Sequence, residues 1–125
     1  MRSPVNQYLQ NIIDDVRDDD SGHRADYIDE LKNADPDKLG LALCTTDGQL
    51  YVVGDGDYEF TIQSISKPFV YALALDMYGL DHVDAHVGVE PSGEAFNALS
   101  FDSDGRPANP LINAGAITVN QLIGG

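Results

Sequence analysis

The tetrapeptide Ser64-Ile-Ser-Lys67 carries the most chemistry in the chain. A serine hydroxyl is a poor nucleophile until a base takes its proton, and an uncharged lysine amine is such a base. On a helix, positions i and i+3 share a face, which puts Ser64 Oγ within reach of Lys67 Nζ. Two local conditions favour the uncharged amine. The sequence around Lys67 is apolar, and the first turn of a helix is the positive end of its dipole. Backbone N–H groups at the same turn are available to an oxyanion. Ser66, two residues on, is expected to face elsewhere. Taken alone the spacing is weak, and a first-turn lysine reaching out to solvent explains it too. Its placement is what strengthens it: Lys67 is the only lysine after position 38 and opens the most apolar stretch of the chain.

A second polar group, Asn113, lies in Asn109-Pro-Leu-Ile-Asn-Ala-Gly-Ala-Ile117. Its amide both donates and accepts, and the small residues Ala114, Gly115 and Ala116 let a ligand or another backbone approach closely. The same pattern suits a helix-packing segment with one satisfied asparagine. Other constellations are poorer. His82 and His86 are four apart, lack a third metal ligand, and read as helix-surface residues. Asp102-Ser-Asp-Gly105 fails as a calcium loop because its glycine falls at the fourth place rather than the sixth. Gly54-Asp-Gly56 does not open a helix as phosphate-binding loops do, so a turn is expected there. Cys44, on an apolar strand, is expected in the core. As the only cysteine it excludes an internal disulfide, which fits a reducing compartment.

These residues need elements to position them. Ser3-Pro4 is a helix start, and Val5, Tyr8, Leu9, Ile12, Ile13 and Val16 recur at helical spacing, so a helix is expected over 4–17. Asp18 to Gly22 ends it in a solvated acidic turn, and a short helix is expected around Tyr27–Leu31. Two β-forming runs, Leu41–Thr45 and Gln49–Val53, flank Thr46-Asp47-Gly48, a strong hairpin signal. A short extended stretch, Tyr58–Ile62, should follow. From Ser64 to Tyr78 the chain reads as a helix apolar on nearly every face, hence a buried one. Pro68 places its start within a turn upstream, although Lys67, preceding a proline, is biased away from α geometry. A short helix over Asp81–Val87, a turn-rich stretch over 90–108 and a helix opening at Asn109-Pro110 complete the layout.

With these blocks in place, the sequence resembles the serine-dependent glutaminases of the β-lactamase and penicillin-binding superfamily. The resemblance runs from Ala25-Asp-Tyr-Ile28 onward, through Gly54–Phe60, Gln63-Ser-Ile-Ser-Lys-Pro68, Val87–Gly93 with Phe96-Asn97, and Asn109–Ile117. Several blocks in the family's order are far more specific than Ser-x-x-Lys alone. The resemblance implies an α/β (α+β), β-lactamase-like fold, an antiparallel sheet with helices. It implies hydrolysis of L-glutamine to L-glutamate and ammonia, with Ser64 attacking the side-chain amide and Lys67 taking its proton. The family's substrate-contacting tyrosine and asparagine match Tyr27 and Asn113, and Gln63 falls beside the nucleophile. No metal or organic cofactor is implied. A homo-oligomer, dimer or tetramer, is implied for the full-length protein. Glutaminases of this kind run to roughly 300 residues. Residues 1–125 therefore read as the N-terminal portion of a glutaminase domain, stopping before the closing strands. Alone, they are expected to fold poorly and not to hydrolyse glutamine. Two alternatives stand beside this reading. One is a β-lactamase or penicillin-binding enzyme, which would need a signal segment that the N-terminus does not show; the other is a non-catalytic ligand-binding remnant of the fold.

Composition narrows the partners. The chain has 125 residues and 42% hydrophobic content, enough for a packed domain. Nucleic acid is a poor partner, since phosphate binding needs a basic face and only 7 Lys and Arg are present. No apolar run approaches the ~20 residues of a membrane span, so a cytoplasmic protein is expected. The acidity has its own shape: 21 acidic residues give a net charge of −14, and 17 of them are aspartate against 3 lysines. An ordinary acidic surface that confers solubility is one account, and adaptation to molar salt is the other. Salt adaptation predicts that the melting temperature of the full-length protein rises between low and molar potassium chloride, as screening relieves self-repulsion. A flat or falling Tm leaves ordinary acidic solubility.

Overall fold

The computed structural model describes residues 3–95 and 97–124, so Phe96 of the Phe96-Asn97 block lies outside the described residues. The chain divides into two compact units, residues 1–60 and 61–125.

In the first unit, helix α1 spans Pro4–Val16, within a residue of expectation. Ser3 Oγ accepts from Val5 N–H, and Pro4 occupies the first turn, where its missing N–H costs nothing. Its apolar stripe buries Leu9 and Ile13 and leaves Tyr8, Ile12 and Val16 exposed. The hairpin forms as the sequence indicates. Strands β1 (Gly40–Cys44) and β2 (Leu50–Gly54) pair antiparallel with Leu43 opposite Tyr51 and Gly40 opposite Gly54. Its tip is closed by Thr45 N–H to the Gln49 carbonyl, and Gly48 takes the left-handed φ of +86° that the turn requires. Beyond β2, Asp55 Oδ2 accepts from Leu39 N–H and Oδ1 from Lys38 Nζ. α1 packs across both strands. Cys44 departs from expectation: it is exposed. An apolar strand is buried only on the face that another element covers, and Cys44 lies on none. The helix expected near Tyr27 is a single 3-10 turn, Asp29–Leu31.

Among the described residues the second unit holds three helices. A 3-10 turn over Gln63–Ile65 leads into α2, Ser66–Tyr78, so the helical segment starts close to the expected place with a tighter first turn. Lys67 is helical despite preceding Pro68. Proline is the third residue of α2, where no backbone donor is yet required. Gly79, at φ +78°, ends α2 and turns the chain into the short α3, Leu80–Asp84. Helix α4 spans Asn113–Gly124, four residues later than Asn109. The reason is local: Asn109 Oδ1 accepts from Leu111 and Ile112 N–H and closes a turn of its own before the helix begins. No strand forms at Tyr58–Ile62.

Ala74, Val83, Val87 and Val119 form the centre of this unit, with Val70, Tyr71, Leu75 and Ile123 around them. α2 is thereby covered by α3 and α4 on one side only. Phe69 (68% exposed), Leu73 and Met77 form a bare stripe at i, i+4 and i+8, a face that none of the described elements covers. Apolar periodicity reports which faces would prefer cover, not which faces have a neighbour.

Arg106 ties the loop before α4 back to the end of α3. Arg106 Nε donates to Asp102 Oδ2 at 2.8 Å, and Arg106 Nη1 reaches the Asp84 carbonyl at the end of α3. Asp102 Oδ1 accepts from Asp104 and Arg106 N–H, so this carboxylate is committed to its own loop. Gly115 is packed so that an added Cβ would lie 1.9 Å from the Asn109 carbonyl oxygen. Gly115→Ala should therefore lower stability by at least the ~1–3 kcal/mol typical of overpacking. Gly22→Ala, with open space around it, should leave the melting temperature nearly unchanged. Thermal unfolding of the two variants side by side checks this.

Candidate active site

The N-terminal turn of α2 and the first half of α4 face each other across an open cavity of about 460 Å³. Gln63, Ser64, Ser66, Lys67 and Val70 line it from the α2 side. Asn113, Ala116, Ile117 and Asn120 line it from α4. Four of the five site residues expected from the sequence are thus brought together by two helices. Their apposition is packed by Ala74 on α2 and Val119 on α4, both fully buried in one cluster.

Lys67 and Asn113, 46 positions apart, are in direct contact, Lys67 Nζ donating to Asn113 Oδ1 at 2.7 Å. Both are half-buried, whereas Ser64 is exposed at the mouth. Among the described residues the amine takes Asn113 as its hydrogen-bond partner rather than Ser64 Oγ. Ser64 and Lys67 still share one wall of the cavity, as their i, i+3 spacing requires.

Gln63 has an unusual backbone, with φ +45°, the only non-glycine residue at positive φ among the described residues. Its side chain reaches back, Nε2 donating to Thr61 Oγ1 at 3.1 Å. Ser66 does not face elsewhere. It lines the same cavity, and its Oγ donates to the Gln63 carbonyl at 2.8 Å. Sequence reasoning also passed over Asn120, although a signal was present: 113, 116, 117 and 120 fall on one face of a helix. Tyr27 belongs to the first unit, where it is an exposed residue of the turn before Asp29.

The perturbed carboxylates lie outside this cavity. Hydrogen bonds hold four aspartates below the usual range: Asp19 by the Ser21 hydroxyl, Asp47 by that of Thr45, Asp55 by Leu39 N–H, and Asp102 by Arg106 N–H. Each is engaged in the geometry of its own loop. His82 and His86 stack with Tyr78 in a surface ladder, with ring centroids 5.3 and 4.9 Å apart along it. Among the described residues no group of three or more His, Cys, Asp or Glu is placed to hold a metal ion. No helix among them is long and apolar enough to cross a membrane.

A serine and a lysine on the opening turns of one helix, met by an asparagine from another, belong in a mixed α/β chain of the β-lactamase-like kind. Residues 22–125 match the model of the glutaminase family, and the chain belongs to that family. The glutaminase of Corynebacterium glutamicum is 63% identical over 122 residues, which are 98% of this chain and 30% of that protein. Glutaminase 2 of Bradyrhizobium diazoefficiens is 53% identical, over 98% of this chain and 20% of its own length. Among solved structures, Mglu in its tris and glutamate form superposes with a TM-score of 0.88 at 50% identity, over 98% of this chain and 27% of Mglu. A probable glutaminase, ybaS, gives 0.89 at 36% identity, over 97% of this chain and 40% of that one. The chain thus spans about 30% of the length of the corynebacterial glutaminase.

Proposed function

We propose that this chain supplies the nucleophile, its base and part of the substrate pocket of an enzyme that hydrolyses L-glutamine to L-glutamate and ammonia. The observation that carries the reading is the single cavity shared by Ser64, Lys67, Gln63 and Asn113, with Lys67 Nζ held by Asn113 Oδ1 at 2.7 Å. A lysine tied to another helix has few positions open to it, and a base must be held close to its nucleophile.

Ser64 Oγ attacks the side-chain amide carbon of glutamine while Lys67 takes the hydroxyl proton. The tetrahedral intermediate collapses, the C–N bond breaks, and Lys67 returns that proton to the leaving ammonia. The product on the protein is a γ-glutamyl ester of Ser64. Water, giving its proton to Lys67, attacks the ester. Glutamate departs, and Ser64 recovers its proton from Lys67. Side chains carry every proton transfer in this sequence. Asn113 and Gln63 offer amides to the polar ends of the substrate. The family match and the corynebacterial identity support glutamine over a β-lactam or peptidoglycan substrate for the same Ser-x-x-Lys pair. A cytoplasmic homo-oligomer is the setting we propose for the complete enzyme.

The test uses a chimera in which this chain replaces the matching segment of the Corynebacterium glutamicum glutaminase. Ser64→Ala should cut ammonia release by roughly a thousandfold or more, since no other group forms the ester. Lys67→Arg keeps the charge but does not give up its proton, and should fail nearly as badly as Lys67→Ala. Near-parent turnover in Ser64→Ala overturns the nucleophile assignment, and near-parent turnover in Lys67→Arg overturns the base.

A further inference from the structure

The residue before the proposed nucleophile sits in a backbone conformation that a glutamine rarely adopts. At φ +45° Gln63 is left-handed, a region that costs free energy for any residue with a Cβ and persists only where neighbours enforce it. The peptide that follows it is held by Ser66. Its backbone N–H and its Oγ both bond the Gln63 carbonyl, the hydroxyl at 2.8 Å. The first of these bonds is available to any residue at position 66 except proline. The second requires a hydroxyl.

That pair of bonds has a consequence at Ser64. The peptide linking Gln63 to Ser64 is trans, so its N–H points opposite to its carbonyl. With the carbonyl turned toward Ser66, the Ser64 N–H is turned away from the helix, and among the described residues it has no acceptor. An unpaired N–H on the nucleophile's own residue, beside the cavity, is placed for the charge that develops on the carbonyl oxygen under attack.

We infer that Ser66 is a positioning residue: its hydroxyl holds the Gln63–Ser64 peptide and thereby aims the Ser64 N–H at the developing oxyanion. The inference rests on Ser64 being the nucleophile. Ser66 lines the cavity, but its hydroxyl is committed to the Gln63 carbonyl. Its loss should therefore weaken transition-state binding more than substrate binding.

The experiment compares Ser66→Ala and Ser66→Thr in the same chimera, with Ser64→Ala as reference. Ser66→Ala should lower kcat roughly ten- to a hundredfold, less than outright removal of an oxyanion donor, and leave KM within about threefold. Ser66→Thr, which keeps the hydroxyl, should restore most of kcat. Parental kcat in Ser66→Ala, or equal losses in the alanine and threonine variants, overturns the role of the hydroxyl. Because Ser64→Ala is measured alongside, that result leaves the nucleophile assignment standing or falling separately.

Discussion

The packing of α2 against α4 is the constraint on which the rest of the site depends. Ala74 and Val119 lie at its centre, and Gly115 allows the start of α4 to fold back against the Asn109 carbonyl. Close approach of the two helices is what lets a lysine on one reach an asparagine on the other at 2.7 Å. The packing of Ala74 in the buried cluster sets the approach, and the polar groups at its open end inherit it. Neither Lys67 nor Asn113 could be placed by its own helix alone.

Much of this was legible in the sequence because the signals are local. Ser3-Pro4 marks a helix start, and Thr46-Asp-Gly48 between β-forming runs marks a hairpin; each depends only on side chains within a few residues. The same holds for Ser64 and Lys67, whose shared face follows from their spacing. What stayed hidden depends on partners distant in sequence. Cys44 and the Phe69, Leu73 and Met77 stripe are apolar positions whose burial is decided by a neighbouring element. The delayed start of α4 is a different case. Asn109 has two competing uses, a helix cap or a turn, and the carbonyl packed over Gly115 goes with the turn. Ser66 was misread because helical spacing locates a side chain on a face but says nothing of a hydroxyl folding back on its own turn.

Electrostatics is divided between scaffold and site. The carboxylates with lowered pKa values, Asp19, Asp47, Asp55 and Asp102, each serve a turn, where an acceptor for two or more donors fixes the chain. The cavity, by contrast, is lined by neutral amides, hydroxyls, apolar side chains and a single lysine. These four aspartates lie in loops, whereas the cavity is built from the opening turns of α2 and from α4. Among the described residues the left-handed Gln63 is the exception to an otherwise relaxed non-glycine backbone, and it sits immediately before Ser64. Its position beside the proposed nucleophile fits a turn shaped for chemistry rather than for stability alone.

The central claim is that Ser64 carries the acyl group. Acid quenching of the chimera during turnover of glutamine, followed by proteolysis and mass spectrometry, reads this directly. The account predicts a γ-glutamyl mass increment on the peptide containing Ser64, localised to that residue by fragmentation and absent from Ser64→Ala. A γ-glutamyl adduct on any other residue, or its persistence in Ser64→Ala, would contradict it.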